Sequence, residues 1–352
     1  MTSTLVQVDD FCVTMVVKSN GSQQEATLGK PAMETDMGRS LNSAAYGGEG
    51  WRPRSRLHLE ELGIHWAACG QDSEWGTLKS VLLHAPGEEI VPKGDFNAAL
   101  QLDPLDLAKA QDEHKQLAAA YHKAGVEVHL VNPVGNVTPN QIFCADLLFM
   151  TSEGAIIARP ASEQRAGEER HVASRLSQIG IPILKTLTGR AVFEGADAMW
   201  LDPRTVVIAR GLRTNQPGIE QIASALEALG VDVITVDLPV GTMHLMGVFR
   251  IIDKDLAVCW PHRTPFALVS HLRDRGFKVL FLPDELELER GAAMNFVTLG
   301  PRKLLMVGEC KGSSSYYEKH DVTCLTSPCA ELSKAAGAVG CLTGVLHRER
   351  IS

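Results

Sequence analysis

The chain has 352 residues, 45% of them apolar and 22% charged, and a formal net charge of −8. That length covers one large domain or two medium ones, and the composition is that of a chain that folds. The acidic balance, with no basic run or interleaved aromatic patch, weighs against nucleic acid and anionic membrane as partners.

Eight cysteines are scattered along the chain without a CxxC pair, which argues against a disulfide framework and a zinc site and for a reducing, cytoplasmic setting. The N-terminus lacks the basic and long apolar segments of a secretory signal, and no window reaches the roughly 18 apolar residues of a membrane helix.

Residues 1–66 read as a flexible arm. Phe11 to Val17 is one apolar patch with the look of an edge strand, and Ser19 to Gly50 is rich in Gly, Ser, Asn and Ala with little periodicity. A subunit contact through this arm, and with it a homodimer, is the alternative use. Residues 67–352 read as one domain.

From Glu74 the pattern tightens. Leu78 to His84 is a buried strand closed by Ala85-Pro-Gly, Asp103 to Lys123 has helical spacing, and Val126 to Val131 is a strand after Gly125. That ending recurs at Gly180-IPILKTL, Gly230-VDVITVDL and Gly276-FKVLFLP. The later units also open alike, with two strands around a polar turn: Ala198-MWLDPRTVVIA, Val248-FRIIDKDLAVCW and Phe296-VTLGPRKLLMV. The unit is strand, strand, helix, strand. Counting Leu78 to Val131 as a partial first unit and Phe296 to the end as the last gives five. Five such units close radially and leave no long sheet edge, with a pocket on the axis. An open doubly wound sheet is the competing fold, but the hairpin before each helix and the lack of GxGxxG speak against it.

Polar residues at the unit junctions are the candidates for that pocket. Asp146, in Phe143-Cys-Ala-Asp, stands before an apolar strand, where it binds a cation or caps a turn. Glu194 and Asp197, in Phe193-Glu-Gly-Ala-Asp, are two carboxylates around small residues, suited to one guanidinium or to a solvated turn. His244, embedded in Met243-His-Leu-Met, falls at the same phase of its unit, against the reading of a core histidine. Arg165 and Arg213 lie in loops leading into helices, as recognisers of a carboxylate or as surface arginines. Cys341, in Gly337-Ala-Val-Gly-Cys-Leu-Thr, is a small buried hydrophobe or a nucleophile.

Together these motifs resemble the guanidino-group-modifying superfamily of arginine deiminases, dimethylarginine dimethylaminohydrolases and amidinotransferases, over roughly residues 74–350. Glu74 to Gly87 resembles the opening strand. Phe143-Cys-Ala-Asp146 is similar to F-x-[RE]-D, Phe193 to Asp197 contains E-[GA]-[GA]-D, Met243-His-Leu resembles the histidine motif, and Cys341-Leu-Thr resembles C-[ML]-[ST]. The resemblance implies a five-bladed α/β propeller acting on a small guanidino compound without metal or cofactor. In it Cys341 attacks the guanidinium carbon, His244 serves as acid and then base, Glu194 and Asp146 hold and polarise the cation, Asp197 assists in binding, and Arg165 and Arg213 hold a substrate carboxylate. The pattern departs at Met246, where deiminases and arginine:glycine amidinotransferases carry the Asp of His-x-Asp, and at Ala145, where Arg or Glu is usual. The first departure favours the dimethylaminohydrolase-like branch; the second weakens the case for methylated arginine itself. Hydrolysis, amidino transfer and a non-catalytic binding propeller are the three readings carried forward.

Overall fold

The computed structural model describes residues 41–289 and 292–351. The Phe11 to Val17 patch lies outside them. The chain divides into two compact units between Arg56 and Leu57. In the first unit the described part contains one 3-10 turn, Ala44–Tyr46. The second begins at Leu57, ahead of the expected boundary at residue 67. Its first residues are tied in: His58–Glu61 is a helical turn, His58 Nδ1 lies 3.1 Å from a Glu153 carboxylate oxygen, and Ala67 N–H donates to the Gly180 carbonyl at 2.9 Å.

The second unit is a five-bladed α/β propeller made of five three-stranded sheets. The first blade holds β1 (Leu78–Leu83), helix α1 (Leu107–Lys123) and β2 (Glu127–Leu130). The second holds β3 (Leu148–Met150), β4 (Ala155–Ile157), α2 (Glu168–Gln178) and β5 (Ile183–Thr186). The third holds β6 (Ala198–Asp202), β7 (Thr205–Arg210), α3 (Gln216–Glu227) and β8 (Asp232–Asp237). The fourth holds β9 (Phe249–Asp253), β10 (Leu256–Cys259), α4 (Phe266–Asp274) and β11 (Lys278–Phe281). The fifth holds β12 (Val297–Gly300), β13 (Lys303–Val307), α5 (Lys311–Glu318) and β14 (Thr323–Ser327). In each complete unit the first two strands pair antiparallel and the second and third pair parallel. The parallel pair needs the crossover helix between its strands.

The chain end does not extend the fifth blade. The last strand, β15 (Gly344–Arg348), pairs antiparallel with β1 and completes the first blade, so the ring closes on its own two ends. The partial first unit read from sequence is therefore complete in space.

Burial follows strand order. The first strands β3, β9 and β12 are buried throughout and β6 nearly so, whereas the third strands β2, β5, β8 and β11 mix exposed and partly buried positions. A strand covered on both faces reads as an unbroken apolar run, and a half-covered one alternates. This is why Met199-Trp-Leu and Phe249-Arg-Ile-Ile look different from Asp232-Val-Ile-Thr-Val-Asp.

α1 begins at Leu107, not at Asp103. Asp106 caps it by accepting from Lys109 N–H at 3.2 Å. The recurring glycines 125, 180, 230 and 276 all have left-handed backbone, with φ between +72° and +82°, and each reverses the chain from helix into third strand. In the fifth blade Asp321 holds this conformation at φ +61°. An aspartate tolerates it at some cost, so the glycine signature shows four times in a fold of five units.

Candidate active site

Each of the five blades contributes to the site just before its first strand or, in the first blade, before β15. Asp146 precedes β3, Glu194 and Asp197 precede β6, His244 precedes β9, Asn295 precedes β12, and Cys341 precedes β15. Backbone at these junctions is forced into short helical turns: Cys144–Leu147, Gly195–Asp197, Leu245–Gly247 and Val339–Leu342. Gly195 is required there, because a Cβ on it would stand 2.1 Å from the Leu148 carbonyl oxygen.

Glu194 is the hub. Its fully buried carboxylate accepts from His244 Nε2 at 2.7 Å, Arg165 Nη1 at 3.3 Å, Arg213 Nη1 at 3.2 Å and the Ala161 N–H at 3.2 Å. Burial opposes its ionisation. The hydrogen bond and charge of His244, with both arginines, outweigh burial and hold it well below the ordinary carboxylate range. Burial likewise opposes a charged His244, but the carboxylates of Asp146, Asp197 and Glu194 raise its pKa to about 9. The pair is therefore an imidazolium against a carboxylate at neutral pH.

Asp197 supports this pair from behind. It accepts from Thr214 Oγ1 at 2.6 Å and from Leu245 N–H at 3.0 Å, which holds the turn after His244. Burial raises its pKa to about 6 despite the nearby imidazolium and the Thr214 bond.

Arg165 is buried among three acids. Its Nη1 donates to Asp146 at 2.7 Å as well as to Glu194, its Nε donates to Glu168 at 2.8 Å, and its guanidinium carbon lies 5.9 Å from the Phe143 ring centre. Its Nη2 has no hydrogen-bond partner, and neither does Asp146 Oδ1. Asp146, Glu194 and His244 each place one ligand-type atom within 4.8 Å of the others, a set that could hold a cation. The positive charges already there are the His244 imidazolium and the guanidinium groups of Arg165 and Arg213.

Cys341 is partly exposed and held by Asn295 at two points. Asn295 Nδ2 donates to Sγ at 3.0 Å, and Asn295 Oδ1 accepts from the Cys341 N–H at 3.0 Å. The turn is anchored further by Thr343, whose Oγ1 donates to the Val339 carbonyl and lies 2.7 Å from Tyr121 Oη on α1. Met246 Sδ lies 3.9 Å from Sγ. Burial, reinforced by the Asp146 charge, pushes the thiol up to about 11, while the Asn295 donor works in the opposite direction. The resting sulfur is thus a thiol at neutral pH.

A narrow cavity of about 20 Å³ is lined by Asp146, Arg165, Arg213, His244 and Cys341, so five of the seven residues singled out from sequence front one space. Glu194 and Asp197 stand behind them as bonding partners. Sequence reading missed Asn295, Thr214 and Glu168. Asn295 had a usable signal, since it lies at the junction phase of the fifth unit. Glu168, raised by burial to about 7, and Thr214 carry no signal beyond proximity to Arg165 and Arg213.

One measurable consequence concerns the thiol. At a pKa near 11 roughly one Cys341 in ten thousand is thiolate at pH 7, against a few per cent for an ordinary cysteine. Alkylation of the Cys341 peptide by neutral iodoacetamide, followed by mass spectrometry, is expected to quicken about tenfold per pH unit from 7 to 10. A rate flat across pH 6–9 would mean a preformed thiolate.

The fold and site define a class: an α/β propeller with cysteine, histidine and carboxylate at the mouth of its first strands. Residues 100–267 match the family model for N,N dimethylarginine dimethylhydrolase, eukaryotic. The N(G),N(G)-dimethylarginine dimethylaminohydrolase of Mycobacterium tuberculosis is 26% identical over 249 residues, 69% of this chain and 78% of that one. Among solved structures, a Pseudomonas aeruginosa dimethylarginine dimethylaminohydrolase mutant complexed with citrulline superposes with TM-score 0.64 at 20% identity, covering 76% of this chain and 98% of the other. An amidinotransferase of saxitoxin biosynthesis from Microseira wollei gives TM-score 0.66 at 15% identity, covering 80% and 98%. Over these stretches the chain is similar to dimethylarginine dimethylaminohydrolases, and its fold is that of the solved structures of these enzymes and of amidinotransferases. Among the described residues no helix is long and apolar enough to cross a membrane.

Proposed function

We propose that this protein is a cysteine-dependent hydrolase that cleaves a C–N bond of a guanidino compound, arginine or an N-substituted arginine, to a ureido product and an amine. The observation that carries this reading is the single cavity fronted by Cys341, His244 and Asp146. Asp146 Oδ1, which accepts no hydrogen bond and lies 4.0 Å from His244 Nδ1, is an acceptor for a substrate N–H, and binding a guanidinium beside Sγ places a positive charge where the thiol must ionise. The substrate thereby lowers the pKa of its own nucleophile.

The steps follow from the protonation states. As the substrate cation binds, the Cys341 thiol loses its proton to solvent, and the thiolate forms a bond to the guanidinium carbon as one C=N π bond becomes a nitrogen lone pair. The C–N bond to the departing nitrogen breaks, and that nitrogen takes the proton of the His244 imidazolium. A thiouronium links substrate and enzyme. Neutral His244 then accepts a proton from water as the water oxygen bonds to the same carbon. The C–S bond breaks, the second proton of the water passes from the carbon-bound oxygen to the departing sulfur as the C=O forms, and the ureido product and the Cys341 thiol remain. Glu194 stabilises the imidazolium before and after, and Asn295 fixes the direction of Sγ.

The reading is tested by a product assay. Purified protein given arginine and dimethylarginine, each with and without glycine and lysine, is expected to form citrulline with no acceptor amine present. Ornithine appearing only with an acceptor would establish amidino transfer instead. Arg213, which lines the cavity and spends Nη1 on Glu194, is the candidate anchor for the substrate carboxylate. Arg213→Ala is expected to raise KM by an amount worth about 1.5–3 kcal/mol, the cost of a lost charged hydrogen bond. An unaltered KM would remove the carboxylate from this position.

A further inference from the structure

Cys341 borders two cavities. The narrow one faces the acids and arginines. The other, of about 220 Å³, lies against the same Cys341, His244 and Met243 and continues past Met246, Val248 and Trp260. Its volume exceeds the roughly 150 Å³ that accommodates a benzene molecule in an engineered core, and is far beyond what dimethylamine needs.

The lining of this space suits an apolar group. Leu102, Met243, Met246, Val248 and Trp260 supply its walls. Arg263 is committed elsewhere: its Nη1 donates to the Gly241 carbonyl at 2.7 Å, and its guanidinium stacks 4.4 Å from the Trp260 ring centre. The one carboxylate of the lining, Glu289, is exposed to water. Met246 matters most. A carboxylate beside Cys341 would demand N–H donors from the scissile nitrogen, whereas a thioether accepts alkyl carbon and adapts to its shape. Met246 Sδ stands 3.9 Å from the nucleophilic sulfur, on the wall of the larger cavity.

We propose that the larger cavity is the leaving-group subsite, and that the substrate bears on its guanidine nitrogen an apolar alkyl or arylalkyl substituent larger than two methyl groups. This rests on the hydrolase reading. The bond broken joins the guanidinium carbon to the substituted nitrogen. The departing amine carries that substituent and the His244 proton into the apolar space, and the ureido product stays on the side of Asp146 and Arg213.

The test is a substrate series sharing one product. Citrulline release is measured by mass spectrometry from Nω-methyl-, Nω-propyl-, Nω-butyl- and Nω-benzyl-arginine. For the wild type kcat/KM is expected to rise at least tenfold from methyl to butyl or benzyl. Two variants narrow the cavity. Thr242→Phe fills it from a buried position whose hydroxyl has no partner, and Leu102→Trp does so from a residue that is itself 64% exposed and safe for folding. Both are expected to lower the benzyl-to-methyl ratio of kcat/KM at least tenfold. A ratio that is flat or falls with carbon number in the wild type overturns the subsite, as does a ratio that the folded Leu102→Trp protein leaves unchanged. Citrulline from the short members with refusal of the long ones overturns this inference alone. No citrulline from any member, or product only when an acceptor amine is added, overturns the hydrolase reading and this one with it.

Discussion

Cys341→Ser is expected to reduce citrulline formation by roughly 10⁴- to 10⁶-fold, the loss seen when a nucleophile is taken from an enzyme whose groups act as a unit. The change removes little else. Serine keeps the N–H that donates to Asn295 Oδ1 and offers an oxygen to Asn295 Nδ2, so the turn Val339–Leu342 retains its anchors. The loss is chemical. A hydroxyl ionises far less readily than a thiol, and His244, held protonated by three carboxylates, is not a base in the resting site. Substrate charge can draw a proton from a thiol near 11 but not from an alcohol. Kinetics would be paired with isothermal titration of the variant. Binding with the turnover lost would isolate the covalent step, and turnover within tenfold of wild type would mean that Cys341 is not the nucleophile.

Glu194→Gln is expected to act on both stability and rate. The wild-type carboxylate balances His244, Arg165 and Arg213 in a buried nest, and removing one charge from such a cluster costs about 3–5 kcal/mol. Arg165 still has Asp146 and Glu168; Arg213 and His244 lose their nearest partner. The His244 pKa should fall from about 9 toward its ordinary value. The sign of the pH effect follows. The His244 imidazolium, proposed to deliver the proton to the leaving amine, persists in the wild type until about pH 9, and in the variant it is lost at lower pH. The alkaline limb of the rate profile therefore shifts to lower pH, on top of a decrease in rate of about 10²–10⁴-fold. Urea denaturation and the pH–rate profile together check this. An unchanged midpoint with an unmoved alkaline limb would mean that Glu194 does not sustain the imidazolium.

Much of this site can be read along the chain because the fold is a repeat. The unit strand–strand–helix–strand is local, and its signals are local too: the left-handed glycines at 125, 180, 230 and 276, the polar hairpin turns, and unbroken apolar runs for the buried first strands. Phase within the unit then picks out Asp146, Glu194, Asp197 and His244 without any knowledge of distance. The same phase singles out Asn295, but an amide before Phe296 looks like an ordinary turn residue until its two contacts with Cys341 are seen.

What the chain alone determined is which residues stand at the junctions and how many units there are, since periodicity and turn chemistry act between neighbours. Tertiary closure decided the rest. The pairing of β15 with β1 joins the two ends of the propeller and carries Cys341 to the cavity it shares with Asp146, 195 positions earlier in sequence. Only then do burial and the surrounding charges fix the protonation states, with His244 raised, Glu194 lowered and the thiol of Cys341 raised. Only then does Arg165, read from sequence as an anchor for a substrate carboxylate, turn its guanidinium toward Asp146, Glu168 and Glu194. Charge interactions depend on distance and on the exclusion of water, and neither exists until the ring has closed.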